Sequence, residues 1–214
     1  MNKIKKSLKD FYLLFTDAKA FYKGRHQKNY STALSFYVGF MAVPVFLYFI
    51  YELVNFIVSD FGFTLTSLFL FSAVILMPLA LITRPFFEAL FVYMGGLIVG
   101  AEKGYKAAFN AVCYSAAVSS PYLILFILLN FLFLGFNYEP KGSVLWAIIF
   151  LFLIYWVHVL FTVVQGVKHY YGLSTGKSLV SALFLEIVLA LLILISSILI
   201  LGFYFGTLFL LGAF

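Results

Sequence analysis

Five stretches without a single Asp, Glu, Lys or Arg constrain this chain more than any motif does. Residues 29–51 and 61–83 give 23 such positions each, 107–138 gives 32, 142–167 gives 26, and the last 28 follow Glu186. About 20 apolar residues of helix cross the hydrocarbon of a bilayer. In water every one of these runs would need burial. A chain with 64% hydrophobic and 10% charged residues lacks the polar surface to bury them, since soluble domains carry about 25% charged residues. In lipid a helix satisfies its own backbone and turns its side chains to a solvent that suits them. The expected fold is an all-α integral membrane protein, a bundle of five transmembrane helices with an N-terminal amphipathic surface helix.

The spans are expected at about 32–58, 65–100, 107–134, 143–168 and 175–200. Region 65–100 is too long for one straight crossing. Arg84-Pro85 is expected to kink or split it, because proline suits a first helical turn better than a helix interior. Charge asymmetry sets its parity. With one crossing there, the leader and the loops at 101–106 and 168–177 share a side. That side then holds twelve Lys and Arg residues, against Lys141 on the other. The side rich in Lys and Arg is cytoplasmic by the positive-inside rule. This puts the N-terminus in the cytoplasm and the C-terminus outside it, in the cell membrane of a prokaryote or an endomembrane of a eukaryote.

Residues 1–30 form the basic leader. Ile4, Leu8, Phe11, Phe15 and Ala18 recur at helical spacing, widened by Tyr12, Phe21 and Tyr22. Lys3, Lys5, Lys6, Lys9 and Lys19 flank that stripe. Such a helix lies on a membrane surface with its lysines toward anionic headgroups. This leader accounts for the net charge of +6, so lipid rather than nucleic acid is the expected partner.

Ionisable and polar groups inside spans are costly, and they form the candidate site. Arg84 and Glu88 are four apart and can pair on one helix face. His158, Thr162, Gln165 and His169 line one face of the fourth span. They can guide a proton or polar solute, or act as hydrogen-bond glue between helices. Glu186 is the candidate partner for His158 or Arg84. The third span is rich in small residues, with Asn110 and Tyr114 on the same face as Ala117, and reads as a packing seam. Pro121 is expected to kink it. No catalytic constellation, cofactor site or metal motif is visible. Cys113 is the single cysteine, and the histidines lack ligand spacing.

The stretch "GLSTGKS" (172–178) imitates a phosphate-binding loop. Its glycines, Gly172 and Gly176, have three residues between them where that loop needs four, and a membrane helix precedes it. It reads instead as a turn between helices. Gly172 ends one helix in a left-handed conformation, and Ser174 caps the next through its side chain. Lys177 reaches toward headgroups.

The paired glycines Gly95-Gly96, the third-span opening "YKAAFNAVCYSAAVSSPYLI" (105–124) and the loop "GVKHYYGLSTGKSLVSALF" (166–184) together resemble the Yip family, membrane proteins of the Ypt/Rab-interacting type. The resemblance covers about residues 10–205. It implies a five-helix bundle, a cytoplasmic N-terminus and a non-enzymatic role. Eukaryotic members act with small GTPases in vesicle traffic through a long cytosolic region, whereas this leader has about 30 residues. The fold carries over and the GTPase partner does not. The expected function is a membrane-organising or adaptor protein, acting with protein partners or a second copy of itself. The alternative is a small transporter, channel or lipid-handling protein.

Overall fold

The computed structural model describes residues 3–24, 28–58, 77–136, 142–184, 186–188 and 191. All elements among them are helices: α1 (Lys3–Thr16), α2 (Ala18–Lys23), α3 (Tyr30–Val58), α4 (Met77–Ile98), α5 (Tyr105–Ala117), α6 (Ser119–Phe136), α7 (Gly142–Tyr171) and α8 (Thr175–Ala182). Four segments are long and apolar enough to cross a membrane: Tyr30–Val54, Pro78–Ile98, Tyr105–Leu132 and Trp146–Tyr171. They fit a membrane protein. Twelve of the 26 residues of the expected fifth span, 175–200, and residues 59–76 lie outside the described residues.

The α5–α6 segment is the axis of the bundle. Every residue from Ala107 to Ser120 is buried, because small side chains there let α3, α4 and α7 approach closely. The expected kink at Pro121 falls three residues earlier, at Val118. Proline has no N–H to offer the Ala117 carbonyl four residues back, and its ring clashes with that carbonyl. The chain therefore closes α5 with a tight Val118 N–H to Ser115 carbonyl bond of 3.0 Å. Pro121 then sits in the first turn of α6, where it is tolerated.

Pro44 lies inside α3 and leaves the Phe40 carbonyl without its helical donor. The Ser120 hydroxyl donates to that carbonyl at 2.7 Å, so a serine of the axis repairs the defect in its neighbour. The split expected at Arg84-Pro85 does not occur. Helix α4 passes unbroken through Pro85, so the new helix that proline was expected to start is the continuation of an older one.

The leader also differs from expectation. It is two helices rather than one, and the second is inside the bundle. Asp17 caps α2 by accepting from the Ala20 N–H at 2.9 Å. That turn reverses the chain and drives Phe21 and Tyr22 into the core, 2% and 1% exposed. Helices α1 and α2 flank α3, α6 and α7. Phe11 stacks on Phe40 with ring centroids 4.1 Å apart, and Phe15 meets His158 edge-on at 4.7 Å.

Candidate functional site

Two regions carry polar chemistry: the docked leader and a groove between α3, α4 and α6. The leader is held by three fixings. Asn110 is fully buried and pairs with the backbone of Lys28 as a strand neighbour would. Its Oδ1 accepts from the Lys28 N–H at 3.1 Å, and its Nδ2 donates to the Lys28 carbonyl at 3.1 Å. Nδ2 also donates to the Lys106 carbonyl at 2.8 Å, so both amide donors are used. Tyr22 donates to the Ala111 carbonyl at 3.3 Å. It fits there because Gly166 has no side chain: a Cβ at that position would stand 2.8 Å from the Tyr22 ring and 2.9 Å from Ala111.

The third fixing is His158. Its Nδ1 shares a 2.8 Å hydrogen bond with the Tyr122 hydroxyl, while Phe15 of α1 covers the ring. This histidine thus joins α1, α6 and α7. The rest of its stripe does not form a path. Thr162 donates back to the His158 carbonyl at 2.8 Å, Gln165 is half-buried, and His169 is exposed against the Tyr170 ring.

The groove has a volume of about 830 Å³. Its walls are mainly apolar, from Met41, Pro44 and Val45 of α3, Leu81 of α4, and Leu123 and Ile127 of α6. Arg84, Thr83, Tyr48, Tyr51, Glu52 and Asn130 are its polar members. Arg84 and Glu88 pair as expected, with Nε 2.6 Å from Oε1. Arg84 lies within electrostatic reach of Tyr37 and Tyr155. Glu186 is exposed, and among the described residues it makes no ion pair with Arg84 or His158. The six polar residues singled out in the sequence therefore do not form one cluster: Arg84 lines the groove with Glu88 paired to it, His158 and Thr162 lie beside the leader, and Glu186 is within electrostatic reach of Glu88 without pairing to Arg84 or His158.

Glu52 and Asn130 were not singled out. Glu52 marked the end of a charge-free run, and Asn130 is one amide in a leucine-rich stretch. Only the packing of α3 on α6 brings them to one groove.

The loop at 172–178 holds one surprise. Gly172 ends α7 at φ +71°, donating to the Lys168 carbonyl at 3.0 Å. Ser174 occupies the N-cap position of α8, but its side chain makes no capping bond. Its carbonyl instead accepts from the Ser178 N–H at 3.0 Å and the Ser178 hydroxyl at 2.9 Å. Lys168 donates across the turn to the Thr175 hydroxyl at 2.8 Å. Gly176 and Lys177 are exposed. Gly95 and Gly96 seat α8 on α4: a Cβ at Gly95 would stand 2.6 Å from Phe184, and the Ser181 hydroxyl donates to the Val92 carbonyl at 2.7 Å.

Comparison with protein families, with curated proteins and with solved structures finds no match for this chain.

Proposed function

We propose that this is a non-enzymatic membrane-organising protein of the Yip type, with five spans and a cytoplasmic N-terminus. Its bundle is a rigid mount for α1, a cationic amphipathic helix lying on the anionic face of the membrane. The observation that carries this reading is the level at which α1 crosses the bundle. From Phe40 to the end of α3 at Val58 is about 27 Å at 1.5 Å per residue. Helix α6, 18 residues long, also spans about 27 Å. From His158 back to Gly142 is about 24 Å. Each is close to the roughly 30 Å of a hydrocarbon core.

The exposed side chains change character at the same level. On α3 they are Tyr30, Ser31, Thr32 and Ser35 before it, and Val43, Phe46 and Leu53 beyond it. On α7 the exposed apolar run from Trp146 ends at Phe161, and Lys168 and His169 follow. Helix α4 keeps an apolar face as far as Ile98, so the apolar surface reaches further on that flank. The exposed lysines Lys5, Lys6 and Lys9 of α1 each attract anionic lipid by about 1 kcal/mol near the surface.

Energy transfer from labelled protein to labelled anionic lipid in proteoliposomes tests this. Enrichment of anionic over zwitterionic lipid is expected around the wild type, with most of it lost when Lys5, Lys6 and Lys9 are changed to Gln. An unaltered signal in that variant would refute the reading. The same vesicles address transport. Ion, proton or lipid flux that disappears in Glu186→Gln or His158→Ala would replace the organiser reading with a transporter.

A further inference from the structure

The groove between α3, α4 and α6 lies outside the leader, and its chemistry is that of an amphiphile's site. We propose that it holds one acyl chain of a membrane phospholipid, with the lipid phosphate bound by Arg84 at its mouth.

Three observations carry this. The first is charge. Arg84 pairs with Glu88 through Nε, which leaves both Nη groups, the donors that grip a phosphate in bidentate fashion. Its side chain is 44% exposed. Most other polar members of the groove are occupied along their own helices. Thr83 donates to the Leu79 carbonyl at 2.9 Å, Asn130 Nδ2 donates to the Phe126 carbonyl at 2.8 Å, and Tyr48 is hydrogen-bonded with Glu52. Among the described residues, Arg84 is the one cationic residue in the groove's lining, so an anion is attracted there.

The second is length. Along α3 the groove reaches from Met41 to Glu52, eleven residues or about 16 Å. One leaflet's share of the hydrocarbon core is about 15 Å. A chain entering at Arg84 would end near Glu52 and Asn130.

The third is size. The volume of about 830 Å³ falls within the roughly 300–1,000 Å³ usual for ligand sites. It suits one chain rather than a whole lipid. Arg84 lies inside the apolar segment Pro78–Ile98, so a phosphate bound there would be drawn below the apolar rim of α4. The placement of the phosphate rests on the membrane level proposed above, whereas the existence of the groove does not.

Native mass spectrometry of the purified full chain tests the proposal. The detergent-solubilised protein is incubated with an anionic phospholipid, with the matching diacylglycerol, or with inorganic phosphate. One retained phospholipid per chain is expected, with no retention of diacylglycerol or phosphate alone. Arg84→Gln should lower retention about tenfold, the scale of a lost charge-assisted contact, and Arg84→Lys should restore part of it. Ile127→Trp and Leu123→Trp fill the groove without changing charge, and either should abolish retention. Each variant is checked for an unaltered helical signal and a monodisperse elution profile. Equal retention in Arg84→Gln and in a folded groove-filling variant would overturn the proposal, as would absence of a retained lipid in the wild type. Helix α1 has no bilayer to lie on in detergent, so this result and the lipid-enrichment result stand or fall separately.

Discussion

Asn110 shows what a single amide can do in the interior of a helical membrane protein. It supplies a donor and an acceptor to Lys28 at a point where the chain has left one helix and not begun the next. An unpaired backbone group away from water costs about 1–3 kcal/mol. Asn110→Leu should therefore destabilise the fold by about that amount. Thermal unfolding measures the loss, and limited proteolysis should show earlier cleavage between α2 and α3. The sequence marked Asn110 as part of a packing seam, and the pairing with Lys28 was invisible because the two are 82 residues apart. Gly166 is a second such residue. Gly166→Ala places a methyl group against Tyr22 and Ala111, and overpacking of this kind costs about 1–3 kcal/mol. A melting temperature equal to the wild type's would show that Tyr22 is not seated as described. Gly172 was legible without coordinates, since a glycine after Lys168-His169-Tyr170-Tyr171 is a standard helix stop. Gly172→Ala should destabilise the turn by about 1 kcal/mol, the cost of forcing a side chain into the left-handed region.

At the scale of the element, proline decides where the helices are interrupted, and neighbouring helices decide how the interruption is tolerated. Pro121 breaks the axis at Val118, Pro44 is repaired by Ser120, and Pro85 leaves α4 unbroken. Ser120→Ala should expose the Phe40 carbonyl and cost about 1 kcal/mol. A double substitution with Pro44→Ala, which restores the helical donor to that carbonyl, should recover most of the loss. Additive effects in a thermal-unfolding cycle would rule out the repair. The split once expected at Pro85 shows the limit of local reading. Propensity favours proline in a first turn, but Ala89 and Val92 pack into the core and α4 stays one helix through Pro85. The leader shows the same limit. Its apolar stripe was plain at residues 4–18, yet periodicity alone does not say that Phe21 and Tyr22 leave the surface and enter the bundle.

At the scale of the whole molecule, the ends at Lys28, Ala101 and Tyr171 gather at one end of the bundle: Lys28 pairs with Asn110, and Gly96 lies against Tyr171 and Ala101. With five spans, a reporter enzyme active only outside the cytoplasm should be active when fused after Phe214. The same fusion to a fluorescent protein that matures only in the cytoplasm should stay dark.

The sequence by itself determined the helical class and the long apolar segments that fit a membrane, because charge-free runs act through transfer energies that each residue contributes locally. It also determined the Arg84–Glu88 pair and the Gly172 stop, since four residues or fewer separate the groups involved. Only the tertiary structure decided that the leader is docked, that His158 joins three helices, and that Arg84, Glu52 and Asn130 share one groove. Those contacts join residues tens of positions apart, and their energies depend on which helix faces which. Packing sets that choice, and no periodicity along a single helix encodes it.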